Sequence, residues 1–116
     1  MQEKRAYHRL KVGIPMKFRV PPQEREIETS TLDISGTGVS FSAKEELKPR
    51  QELLMYLLLP EKDRIEIHAK VVRVERNPQD QSHYNVGVRI IDPIKFDERE
   101  FVRFYAAKLK EFFTAV

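Results

Sequence analysis

The sequence predicts a mainly β domain, an antiparallel barrel or sandwich of short strands followed by one amphipathic helix. Three observations support this fold class. Apolar residues alternate with polar ones through most of residues 10–92, which is the period of a half-buried strand. Turn-forming residues separate these stretches at short intervals. From residue 97 onward, the apolar spacing changes to steps of three and four, which is helical.

The composition describes one ordinary globular domain. The chain has 116 residues, of which 41% are hydrophobic and 34% are charged. No apolar run approaches the roughly 20 residues of a membrane-spanning helix, and no secretory signal is evident. The absence of cysteine excludes disulfides and thiolate metal sites and suits a cytoplasmic location. Three histidines without paired ligand spacing argue against a metal site.

The first half of the chain predicts three strands. Residues 10–20 alternate apolar and polar side chains, and Pro15 within them predicts an edge position or a bulge. Residues 25–35 are rich in β-branched side chains, which favour strands. A GTG sequence then breaks the pattern, and residues 39–43 resume it as a short strand.

The second half of the chain predicts three further strands, over residues 51–60, 64–76 and 84–92. Val71 and Val72 are adjacent apolar residues that interrupt the alternation, so they predict a slip or a bulge. The apolar run Leu53–Leu59 needs cover on both of its faces. We expect the C-terminal helix to provide that cover, and a partner subunit is the alternative.

The C-terminal segment predicts an amphipathic helix over residues 97–116. Asp97 is the expected N-cap, because Glu100 follows three residues later in the spacing of a capping box. Apolar side chains form one stripe along this helix: Phe101, Tyr105, Leu109, Phe112, Phe113 and Val116. We expect the stripe to pack on the strands, and a partner or dimer surface is the alternative.

Positive charge is concentrated at the start of the chain, although the net charge of the whole is only +3. Within residues 1–20 the basic residues outnumber a single acid, Glu3: they are Lys4, Arg5, Arg9, Lys11, Lys17 and Arg19. Such a cluster indicates an anionic partner such as phosphate, or a solvated basic tail. The spacing of Arg5 and Arg9, four positions apart, is compatible with either interpretation.

The second unusual stretch is LDISGTGVSF, residues 32–41. Asp33 and Ser35 lie two positions apart and therefore on the same side of an extended strand. Their side chains either cap the following turn through hydrogen bonds to its backbone or offer polar groups to a ligand. Gly38 is the candidate for a positive-φ position in that turn.

Taken together, RAYHR at residues 5–9 and DISGTG at residues 33–38 resemble the RxxxR and D/NxSxxG signature of the PilZ family, bacterial receptors for cyclic di-GMP. The surrounding strands are also similar, so the resemblance covers the whole chain. It implies one PilZ domain over residues 1–116, with a six-stranded antiparallel β-barrel at 11–92. A flexible arm at 1–10 then precedes the barrel, and the helix at 97–116 packs on it.

The resemblance implies that cyclic di-GMP binds to Arg5, Arg9, Asp33, Ser35 and Gly38. The chemistry of these residues agrees with that ligand. A guanidinium can bind phosphate oxygens or the guanine O6/N7 edge with two hydrogen bonds, and its flat face can stack on a base. An Asp carboxylate can accept the N1 and N2 hydrogens of guanine.

Two neighbouring residues are weaker candidates. In the family, a basic residue before the first arginine is associated with binding a stacked pair of ligand molecules, and Lys4 has that position. A solvated lysine is the alternative. His8 lies inside the arginine motif and is a candidate for contact with phosphate.

The resemblance implies a non-enzymatic receptor that needs no cofactor. Ligand binding would order the arm and signal to a separate effector protein in motility, chemotaxis or exopolysaccharide control. Because the motif begins at residue 5, we expect output through that partner, from a monomer or homodimer without membrane insertion. The alternative is a small basic β-barrel that binds single-stranded nucleic acid, which requires aromatic side chains on exposed strand faces. Phe18, Phe41 and Tyr56 instead alternate into core positions.

Overall fold

The computed structural model describes residues 9–59, 64–91 and 96–114. This part of the chain forms the strands β1 (Pro15–Arg19), β2 (Ile27–Ile34), β3 (Gly38–Ala43), β4 (Glu52–Leu57), β5 (Ile65–Arg76) and β6 (Tyr84–Ile90), and the helix α1 (Phe96–Thr114). All neighbouring strands are antiparallel, and they close into a barrel in the order β1-β2-β3-β6-β5-β4. The predicted six-stranded barrel with a C-terminal helix is confirmed, and the sandwich alternative is excluded.

Apolar side chains fill the interior of the barrel. On β4, Leu53, Met55 and Leu57 are fully buried at alternate positions, as the period of a strand requires. Phe18 of β1 and Phe41 of β3 are also fully buried, and their ring centroids lie 5.1 Å apart in a tilted arrangement. Aromatic pairs favour such geometry. Each fully buried side chain of this kind contributes about 1.5–3 kcal/mol to folding.

The barrel begins earlier in the chain than its first strand. Leu10 is buried and exchanges two backbone hydrogen bonds of 2.8 Å with Ile34, so the chain is already paired with β2 inside the segment expected to form an arm. Pro15 is the first residue of β1. A closed barrel has no edge strand, so the edge position predicted for Pro15 is wrong. Proline is tolerated there because the first position of a strand can lack an N–H donor.

The predicted irregularity in β5 is confirmed as a β-bulge. Pairing with β6 shifts between Val71 and Arg73, which makes Val72 an extra residue, 50% exposed. A bulge resets the alternation of side chains along a strand. Val71 therefore points into the interior and is buried, whereas Arg73 comes to lie opposite Gly87 on the outer face.

On the outer face of β4, Tyr56 is covered by two arginines. The guanidinium of Arg64 lies 4.2 Å from the centroid of the Tyr56 ring, and Nε of Arg19 donates to the Tyr56 hydroxyl at 3.4 Å. This cation–π contact and hydrogen bond leave Tyr56 only 7% exposed. The helix packs mainly against β5. Arginine side chains cover Tyr56 instead, so the expectation that the helix covers β4 is wrong for this residue.

The helix begins at Phe96, one residue before Asp97, so the assignment of Asp97 as the N-cap is wrong by position. Its last described residue is Thr114, and Val116 lies outside the described residues. Within the described part of the chain, no helix combines the length and the apolarity that crossing a bilayer requires.

The apolar stripe of α1 packs only along its first half. Phe101 and Tyr105 are buried against the barrel, and Leu109 is partly buried. Phe112 and Phe113 are 63% and 55% exposed, with their ring centroids 5.7 Å apart, so the prediction that they join the core is wrong. The last aromatic pair of the helix is therefore mostly exposed.

This division of the helix predicts unequal effects of two matched substitutions. Phe101→Ala should lower the free energy of unfolding by about 3–5 kcal/mol, because it leaves a cavity in the core. Phe112→Ala should change that free energy by less than about 0.5 kcal/mol, because its ring is exposed. Urea unfolding followed by circular dichroism measures both. A large loss for Phe112→Ala would contradict the exposed position.

Candidate functional site

A second β-bulge, in β2, brings Asp33 to the outer face of the barrel. Pairing with β3 shifts between Thr31 and Asp33, which makes Leu32 an extra residue. Before the bulge, Thr31 points inward, where its hydroxyl donates to the Val12 carbonyl and accepts from the Ile14 amide at 2.8 Å. After it, the alternation is reset and Asp33 points outward. The sequence did not predict this bulge.

Asp33 pairs with Arg9, the second arginine of the RxxxR sequence. Nη1 of Arg9 donates to Oδ1 of Asp33 at 2.9 Å, and the two side chains are 35% and 21% exposed. This is a charge-assisted hydrogen bond at normal length. The backbone supports it, because the next residues of the two segments, Leu10 and Ile34, pair with each other. The two halves of the sequence signature therefore meet at one end of the barrel.

Ser35 shapes the turn that follows β2. Its Oγ accepts hydrogen bonds from the backbone amides of Thr37 at 3.3 Å and Gly38 at 3.2 Å. Its own amide donates to the carbonyl oxygen of Gly38 at 2.9 Å. These bonds are those of the turn-capping interpretation. A role for Ser35 in binding a ligand stays a prediction beside this structural one.

Gly38 is required by space and not by its backbone angle. None of the described glycines has a positive φ, so the predicted left-handed conformation is wrong. At residue 38, β3 instead runs so close to β6 that a Cβ atom would collide with the carbonyl oxygen of Val88. The contacting atom belongs to the backbone and cannot rotate away. Any side chain here would push the two strands apart.

A hollow of about 260 Å³ lies on the outer face beside this turn. It lies beside a row of paired residues across four strands: Asp33 on β2, Ser40 on β3, Gly87 on β6 and Arg73 on β5. Of these four residues, Gly87 and Arg73 line the hollow. Because the two central residues are small, the row is low in the middle and charged at both ends. Three of the predicted residues line the hollow: Arg9, Ser35 and Gly38. The other polar or charged residues that line it are Thr37, Arg73 and Arg89.

The structure thus brings four of the predicted site residues together: Arg9, Asp33, Ser35 and Gly38. Lys4, Arg5 and His8 lie outside the described residues, so their positions stay predictions. Sequence reasoning missed Arg73 and Arg89. Two signals point to Arg73 in retrospect: the predicted bulge just before it, and a glycine inside β6, which marks a close approach.

The remaining histidines have structural contacts. Nε2 of His68 lies 3.1 Å from a carboxylate oxygen of Glu52, and Nδ1 of His83 lies 2.7 Å from Oδ2 of Asp80. Hydrogen bonds from Ser82, together with the charge of His83, lower the pKa of the Asp80 carboxyl. The residues that the structure describes contain no cluster of three potential metal ligands.

The strand aromatics do not form a stacking surface. Phe18 and Phe41 are fully buried, and Tyr56 is 7% exposed beneath its two arginines. Tyr84 of β6 is partly buried, and the guanidinium of Arg76 lies 5.0 Å from its ring centroid. The exposed aromatic rings in the described part of the chain, Phe112 and Phe113, lie on the helix. A single-stranded nucleic acid therefore has no row of aromatic side chains on the described barrel surface on which to stack.

Comparison with known families places these observations in context. The family model of the PilZ domain matches residues 3–107, which includes both sequence motifs and all six strands. None of the curated proteins matches the sequence significantly.

Several solved structures share the fold at low sequence identity. The inhibitor of motility MotI/DgrA of Bacillus subtilis matches 95% of this chain with a TM-score of 0.77 and 18% identity. The complex of K. pneumonia MrkH with c-di-GMP matches 95% with a TM-score of 0.75 and 17% identity. This chain spans 53% of each of those proteins. The PilZ domain of Escherichia coli YcgR with c-di-GMP is covered completely, over 98% of this chain, with a TM-score of 0.68 and 10% identity.

The close approach at Gly38 predicts that a single methyl group destabilises the barrel. Gly38→Ala should lower the free energy of unfolding by about 1–3 kcal/mol, because β3 must shift away from β6. Gly13→Ala is the matched control, since its Cβ would lie 3.8 Å from the nearest carbonyl oxygen and should change stability by less than about 1 kcal/mol. Thermal and urea unfolding compare the two. Equal stability of both variants would contradict the close approach.

Proposed function

Because the chain belongs to the PilZ domain family, we propose that it is a receptor for cyclic di-GMP. The observation that carries this proposal is the contact between Arg9 and Asp33, which joins the two motifs at the rim of one hollow. The fold shared with the c-di-GMP complexes of MrkH and the YcgR PilZ domain supports it. The proposed activity is binding without catalysis.

Each residue of the site has a role that its chemistry suits. Asp33 accepts hydrogen bonds from N1 and N2 of a guanine, because a carboxylate offers acceptors on both oxygens. Arg9 donates two hydrogen bonds to a phosphate or to the O6/N7 edge of a guanine, and Arg5 provides a second guanidinium. Gly38 keeps the floor low, and Ser35 holds the turn beside Asp33. Lys4 and His8 add positive charge near the phosphates.

The same site suits a signalling role. In the proposal, ligand binding closes residues 1–8 over the hollow and creates a surface for an effector protein in motility, chemotaxis or exopolysaccharide control. Arg9 supports this coupling, since it also lines a second hollow of about 570 Å³ between residues 9–12 and the end of α1. A movement of the Arg9 side chain would therefore change the surface beside the end of α1. The lack of cysteine suits a cytoplasmic receptor.

The proposal predicts loss of binding when either partner of the central pair is removed. In calorimetric titration with cyclic di-GMP, Arg9→Ala and Asp33→Ala should each weaken binding at least about tenfold, since each removes a charged hydrogen-bonding group. Arg5→Ala should do the same. Arg25→Ala is the control, because Arg25 is exposed and lies outside the hollow. The stoichiometry of the wild type tests whether Lys4 accompanies one or two ligand molecules.

Two results would overturn this function. One is a wild type that releases no heat with cyclic di-GMP, and the other is alanine variants that bind as tightly as the Arg25→Ala control. Loss of fold does not explain weak binding here, because a partly exposed ion pair contributes at most about 1 kcal/mol to stability. Circular dichroism of each variant checks that point.

The nucleic-acid alternative predicts a different response. A basic segment without a stacking surface binds oligonucleotides only through charge, so any retardation in a gel-shift assay should vanish as salt rises from about 50 to 200 mM. Binding of single-stranded DNA that persists at the higher salt would favour the alternative.

A further inference from the structure

Arg73 is the charged residue at the far end of the row of paired residues that begins at Asp33. The bulge at Val72 places it on the outer face, opposite Gly87 of β6. Neither RxxxR nor D/NxSxxG includes this residue. It nevertheless lines the hollow, and along the row of paired residues it lies at the opposite end from Asp33.

The guanidinium of Arg73 lies flat on the backbone of β6. A methyl group at Gly87 would stand 3.1 Å from Nη2, 3.2 Å from Cζ and 3.5 Å from Nη1 of Arg73. These three distances are nearly equal, so a face of the guanidinium, and not an edge, is directed at Gly87. Glycine at residue 87 lets the plane come this close.

The Arg73 side chain is only partly covered. The Arg73 side chain is 41% exposed, and its Nε lies 3.8 Å from a carboxylate oxygen of Glu75 on the same strand. Nε is an edge atom of the guanidinium, so this ion pair is made at one edge of the group. Val72, 50% exposed at the tip of the bulge, adds an apolar wall beside it. A flat cation beside an apolar wall suits the face of a nucleobase.

We propose that Arg73 is a stacking platform for a purine base of the bound nucleotide, at the end of the hollow opposite the Arg9–Asp33 pair. This inference rests on the proposed function and assigns one further residue of the same site. Gly87 is a positioning residue, because it holds the guanidinium flat. Stacking on a guanidinium plane does not depend on which edge groups the base carries, so Arg73 contributes affinity, and recognition of guanine falls to Asp33.

The test is calorimetric titration of cyclic di-GMP into four variants beside the wild type. Arg73→Ala should weaken binding about tenfold, as expected for loss of one base stack. Arg73→Lys should be equally weak, because lysine keeps the charge and loses the plane. Gly87→Ala should weaken binding to a smaller extent by lifting the guanidinium. Arg76→Ala is the matched control on the same strand, since that guanidinium lies 5.0 Å from the Tyr84 ring centroid and does not line the hollow.

The outcomes separate this inference from the function on which it rests. If the wild type binds and Arg73→Ala matches Arg76→Ala, the inference is wrong and the receptor function stands. If Arg73→Lys binds like the wild type, Arg73 acts through charge on a phosphate, which overturns the stacking role. If the wild type does not bind at all, the receptor function is wrong and this inference fails with it.

Discussion

Two extra residues, Leu32 in β2 and Val72 in β5, determine which charged side chains point to the outer face of the barrel. A closed barrel with a filled interior fixes the direction of every side chain, because each strand alternates inward and outward. Without each bulge, the apolar residues before and after the extra residue could not both point into the interior. Each bulge restores the inward phase and delivers one charged side chain outward, Asp33 in one strand and Arg73 in the other. The apolar core and the candidate site thus depend on the same irregularities.

Small residues lie between those charges, and two glycines, Gly38 and Gly87, line the hollow. Ser40 and Gly87 occupy the middle of the row, and Gly38 allows β3 to approach β6 at its end. A side chain at residue 38 would separate the strands, and one at residue 87 would contact the guanidinium of Arg73. The hydrogen bonds between Ser35 and Gly38 then hold the segment after Asp33 against the start of β3. The same small residues and the same turn therefore serve both the packing of the strands and the shape of the candidate site.

The sequence predicted the elements well because their signals are local. Alternation of apolar residues, β-branched content and turn residues together identified all six strands, and the doubled valine at 71–72 identified one bulge. Leu32 gave no such signal, because the buried residue before it is Thr31, whose hydroxyl is satisfied inside the fold. Phe112 and Phe113 continued the helical stripe in sequence, yet how far α1 packs depends on tertiary structure. Arg73 was missed for the same reason, since its position opposite Gly87 depends on strand pairing between distant segments.

The unequal ends of the row have a consequence for selectivity. Asp33 and Arg73 are three strand spacings apart, about 14 Å along the sheet, and cyclic di-GMP carries two identical guanines. In the proposed complex, one end offers a carboxylate that distinguishes the hydrogen-bonding edge of a base, and the other offers a plane that accepts any base. Arg9 donates to Oδ1 of Asp33, and a carboxylate still has acceptor positions for a guanine edge. The same ion pair can therefore orient Asp33 and leave it able to bind. Discrimination against other cyclic dinucleotides then depends on one base, and the second contributes through stacking.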